Sequence, residues 1–112
     1  MKTSNINIQI DLDENKVPQT INWNATDSTA DEMQPAKATM LSFWDAAEKT
    51  AMRIDLWTKD MMVDEMADFY YQTLMGMADS FTRATQQTEL SEEMKEFARG
   101  FYKKFRATQL KQ

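Results

Sequence analysis

Through residue 57 apolar residues tend to recur at every second position, and beyond residue 60 at every third or fourth. Ile6, Ile8, Ile10 and Leu12 alternate with Asn7, Gln9 and Asp11, the mark of a strand with one buried face. Ile21, Trp23 and Ala25 alternate in the same way with Thr20, Asn22 and Asn24. The cluster Asp13-Glu14-Asn15-Lys16 is a turn, and Pro18 delays the next strand. So short a connection predicts an antiparallel hairpin, with strands at about 5–12 and 19–25. Residues 26–36 are mostly polar or structure-breaking and read as a long acidic loop. A third strand, about 37–44, carries Met40, Leu41, Phe43 and Trp44 on both of its faces. After the turn at 45–49, Met52, Ile54 and Leu56 alternate with Arg53, Asp55 and Trp57 in a fourth strand at about 50–58.

From Asp60 the period is that of a helix. Val63, Met66, Tyr70, Leu74, Met77 and Phe81 form one stripe, and Asp64, Glu65, Asp68, Gln72, Asp79 and Arg83 lie opposite. Asp60 is the expected N-cap of this helix, about 60–85. Gln86-Gln87-Thr88-Glu89 interrupts the pattern. A second helix, about 91–107, starts from an expected cap at Ser91 and carries the stripe Leu90, Met94, Phe97, Ala98, Phe101 and Phe105. The tail from Thr108 is expected to fray. Strands grouped before helices predict a single α+β domain over 1–112: a four-stranded antiparallel sheet followed by two C-terminal amphipathic helices packed on one face.

Composition narrows the chemistry. Among 112 residues there is neither Cys nor His. That excludes disulfides, thiolate or imidazole metal sites and His-dependent nucleophiles. Two glycines cannot build a phosphate loop. Carboxylates are the remaining acid–base groups. Asp64 and Asp68 on the helix, and Asp11, Asp13 and Glu14 at the hairpin, sit in solvated patterns without a pocket to raise a pKa. The expectation is no enzyme, no cofactor and no metal. A net charge of −5 argues against nucleic acid. No apolar run is long enough for a membrane span or a signal peptide, so the expected compartment is the cytoplasm.

What remains is binding. With both helices on one side of the sheet, the other side is left open, and Leu41, Phe43 and Trp57 are the candidates to fill it with a partner. Self-association through this face, as a homodimer or higher homo-oligomer, is expected. On the helices, Tyr71 and Met75 fall off the apolar stripe. Arg99, Lys103 and Lys104, with Arg106 and Lys111, make a basic group without an acid among them. Both sets are candidates for a protein partner.

Particular stretches resemble a known family. The start Met1-Lys2-Thr3-Ser4, then Leu12 to Pro18, Ile21-Asn22-Trp23 and Phe43-Trp44-Asp45, is similar to the gliding motility protein GldC family. So are Ile54-Asp55-Leu56-Trp57-Thr58-Lys59-Asp60-Met61 and Val63-Asp64-Glu65-Met66, with Leu74, Met77-Ala78-Asp79 and 81–85 extending the likeness. The resemblance implies a small soluble cytoplasmic protein that supports gliding in Bacteroidetes-type bacteria beside a motor and secretion apparatus, with no catalytic residues to carry over. It points to an accessory interaction protein. The alternative is a small chaperone or holdase similar to SecB, on the analogy of strand order and acidity alone.

Overall fold

The computed structural model describes residues 1–110. Seven elements follow one another: β1 (Ile6–Leu12), β2 (Pro18–Ala25), β3 (Gln34–Ala36), β4 (Ala38–Asp45), β5 (Thr50–Trp57), α1 (Val63–Thr85) and α2 (Thr88–Leu110). They form two compact units, the strands up to Met61 and the helices from Met62 onward.

The α+β class holds, but the strands make a three-stranded sheet, β1-β2-β3, and a separate two-stranded sheet, β4-β5. One four-stranded sheet is therefore corrected. The cause is β3, which lies inside the span expected to be loop. Its residues pair antiparallel with Ile21, Asn22 and Trp23 and occupy the β2 edge that β4 would have needed. Pro35 lies on the edge strand of this sheet, the place in a ladder where a residue without an N–H is tolerated. Only Lys37 then separates β3 from β4, and β4 pairs forward with β5.

In the first sheet Ile8 pairs with Trp23 and Ile10 with Ile21, so the apolar positions of β1 and β2 share a face. Ile21 is the largest fully enclosed side chain, 2% exposed. The polar positions share the opposite face. There Asn7 donates to Asn24 at 3.0 Å, and the Thr20 hydroxyl donates to Asp11 at 2.8 Å. Beyond the end of β5, Lys59 N–H bonds the Pro18 carbonyl of this sheet at 3.2 Å, and Thr58 N–H bonds the carbonyl of the linking residue Lys37 at 2.7 Å. The expected turn at 13–16 is present. Asp13 Oδ1 accepts from the N–H groups of Asn15 and Val17, and Lys59 Nζ lies 3.2 Å from Oδ2. These bonds, that from Val17 foremost, hold the Asp13 carboxyl below its ordinary pKa.

The helices start and stop elsewhere than expected. Asp60 does not cap α1; it accepts a hydrogen bond from the Thr58 hydroxyl. The helix begins at Val63, and Glu65 Oε1 accepts from the Met62 N–H at 3.1 Å, closing the first turn from inside. Gln86 takes the left-handed conformation (φ 64°) and turns the chain between helices. Ser91 lies within α2, which begins at Thr88 and runs on to Leu110.

The seam between α1 and α2 is made of small residues. Ala67, Ala78, Ser91 and Ala98 are buried, the last at 0% exposure. The Thr82 hydroxyl donates to Ser91 Oγ, which in turn donates to the Gln87 carbonyl at 3.2 Å. Tyr71 stacks on Tyr102 with ring centroids 4.8 Å apart. Of the large residues expected in the core, Leu74, Met94, Phe101 and Phe105 are half-buried, and Val63, Tyr70, Met77, Leu90 and Phe97 are exposed.

Candidate interaction surfaces

Register decides the β4–β5 surface. Leu41 pairs with Ile54 and Phe43 with Met52, so these four side chains share one face together with Leu56. Phe43, Met52 and Ile54 are each at least half exposed. Trp57 pairs with Ala38 and therefore lies on the opposite face, the side of Met40 and Trp44. Leu41, Phe43 and Trp57 do not make one patch. The sheet offers two apolar faces, and the second is crossed by the Arg53–Asp55 ion pair at 2.9 Å.

The helical hairpin has two unlike flanks. With the seam as reference, helical phase places Val63, Tyr70, Met77 and Phe81 of α1, and Leu90, Phe97 and Phe101 of α2, on the same side. The expected stripe is thus real but only partly covered: Met66, Leu74, Met94, Phe101 and Phe105 are half-buried, whereas Val63 is 68% exposed, Phe97 65% and Met77 49%. On the outer side of α2, Phe97, Phe101, Phe105 and Lys104 surround an open groove of ≈ 620 Å³. Gly100 is part of that wall, and a Cβ built there would meet nothing within 4 Å.

The other flank is polar and basic. Arg99 and Lys103 line a groove with Tyr71, Tyr102 and Arg106. The Arg106 guanidinium lies 5.9 Å from the Tyr102 ring centroid. A hydrogen bond to the Asp68 carboxylate raises the Tyr102 pKa above its ordinary value. Close by in sequence, Lys95 Nζ meets Asp79 Oδ1 at 2.8 Å, which lowers the Asp79 carboxyl and raises Lys95.

Tyr71, Arg99 and Lys103, with Arg106 of the same basic group, therefore come together, joined by Tyr102. Lys104 belongs to the aromatic flank. Met75 is half-buried and lines neither groove, and Lys111 lies outside the described residues. Tyr102 was missed although it stands three residues from Arg99 and four from Arg106, the spacing that stacks side chains on one helix face. Among the described residues no three His, Cys, Asp or Glu side chains are grouped to hold a metal. No described helix is long and apolar enough to cross a membrane.

Residues 18–107 match a family model described as gliding motility-associated protein GldC-like. The match takes in α1 and α2 as far as residue 107, beyond the stretches up to residue 85 that carry the resemblance. No curated protein and no solved structure matches the chain. With most of its length inside that model, the chain belongs to the GldC-like family of gliding motility-associated proteins.

Proposed function

We propose that the protein is a non-enzymatic, cytoplasmic accessory protein of the gliding apparatus that works by holding a protein partner on the β4–β5 sheet. The observation that carries this is the apolar face of Leu41, Phe43, Met52 and Ile54, exposed on a chain with net charge −5. A contiguous exposed apolar surface of this kind favours association, while the surrounding charge keeps the free protein soluble. The partner belongs to the gliding or secretion machinery. The basic groove of Arg99, Lys103 and Arg106 adds a second, salt-sensitive contact for an acidic stretch of that partner.

The test is crosslinking in gliding cells followed by identification of what is bound. A reproducible motility or secretion component, lost with Phe43→Glu, supports the proposal. A broad set of unfolded chains instead would favour the holdase reading, which the same exposed apolar face allows. Loss of no partner with Phe43→Glu would remove the sheet from the account.

A further inference from the structure

The aromatic flank of the hairpin asks for a cover of its own. The chain exposes 9059 Å². Two separate compact globules, each of half its 13.1 kDa, would together expose about 7,700 Å². The chain thus exceeds even that generous reference by roughly 1,400 Å². A standard interface removes about 800 Å² per partner, and obligate homodimers about 1,000–2,500 Å². The sheet faces and the aromatic flank share this excess, which leaves room for one subunit's part of a stable homodimer beside a second contact.

The flank is also complementary to itself. Phe97 projects beside the groove whose wall is opened by Gly100. A two-fold axis crossing α2 between residues 98 and 99 sets Phe97 of one protomer against Gly100 of the partner subunit, and the reverse. The same axis sets Glu93 against Lys104 of the partner subunit, because both pairs are centred on the same point of the chain. Glu93 and Lys104 lie by helical phase at the edge of this flank, where an ion pair would frame an apolar centre. The point is also close to the middle of α2, so antiparallel copies overlap along the full helix. We infer that the occupant of the aromatic flank is a second copy of this chain, with two hairpins packed as a four-helix bundle through α2. This moves the self-association expected from sequence from the sheet to the hairpin, and leaves the sheet to another partner.

The test is the mass of the purified full chain by light scattering at about 50 µM, a concentration that populates even micromolar dimers. The wild type is expected at twice its 13.1 kDa. Gly100→Glu is the decisive variant. Glu favours helix more than Gly does, and its Cβ meets nothing, so the hairpin itself is not perturbed. It puts a carboxylate into the groove, and dimerisation is expected to weaken at least about 30-fold, the scale of a strong interface residue. Helix content by circular dichroism stays at the wild-type value or above. Phe97→Glu should give the same mass change. A second pair, Glu93→Lys and Lys104→Glu, should each weaken the dimer and restore it when combined. A wild type that is monomeric at this concentration overturns the inference. So does a dimer indifferent to both Gly100→Glu and Phe97→Glu.

Discussion

The seam and the aromatic flank of the helical hairpin lie about a quarter-turn apart on the same two helices, and they use opposite kinds of residue. The seam hides Ala67, Ala78, Ser91 and Ala98. The flank shows Val63, Met77, Leu90 and Phe97. Small side chains let two helices approach closely but remove little apolar surface from water. Large ones carry most of the hydrophobic driving force, and here that force is unspent within a single chain. The difference teaches that this hairpin is locally well joined yet globally unfinished, which is what a binding module requires.

Disturbing the buried packing of either unit should have the largest effect on the fold. Ala98→Leu forces a bulky group between α1 and α2 and should destabilise the helical unit by about 1–3 kcal/mol, the usual range for overpacking. Urea unfolding followed by helical circular dichroism measures it. Equal stability in the variant would mean that the seam is loose. In the strand unit the matching site is Ile21, where Ile21→Ala should cost about 2–5 kcal/mol.

Acid should loosen both units more gently. The carboxyls of Asp13, Asp60 and Asp79 all sit below their ordinary pKa. Their folded pKa lies below the unfolded one, so their contribution is complete above about pH 4 and is lost as pH falls through the folded values. The melting temperature should therefore hold steady from about pH 5 to 7 and fall below about pH 4. Asp79→Asn should flatten that fall for the helices. An unchanged acid profile would show that the Lys95 contact contributes nothing, as many exposed pairs do.

The smallest change is at the turn between the helices. Gln86 holds a left-handed conformation that glycine adopts without a Cβ clash. Gln86→Gly should stabilise the hairpin by about 1 kcal/mol, offset in part by the greater freedom of the unfolded chain. A clear loss of stability would indicate that the Gln86 side chain, which donates to the Arg83 carbonyl at 3.4 Å, matters more than the backbone.

Sequence made the change of period at residue 60 and the amphipathic stripes legible, because large apolar residues give a strong periodic signal. It did not reveal their fate. Val63, Tyr70 and Phe97 read as core because they fall on the apolar stripes, whereas the buried seam of Ala and Ser gives almost no hydropathy signal. The strand at Gln34–Ala36 was hidden because three residues centred on Pro35 show no alternation. The sidedness of Trp57 could not be read either, since it depends on the β4–β5 register set by the turn at 45–49. On the basic flank, the charges were visible but their convergence on Tyr71 and Tyr102 required the antiparallel pairing of the two helices.

The central claim is that the aromatic flank meets its own copy, and the absence of cysteine gives it a direct measurement. Gly100→Cys keeps Phe97 and places a single thiol at the centre of the proposed contact, and Gln9→Cys places one on the polar face of the first sheet as control. Treatment with a short bismaleimide should convert the Gly100→Cys chain to a covalent dimer within minutes, while the Gln9→Cys chain stays largely single. Equal, slow crosslinking of the two variants would contradict the account.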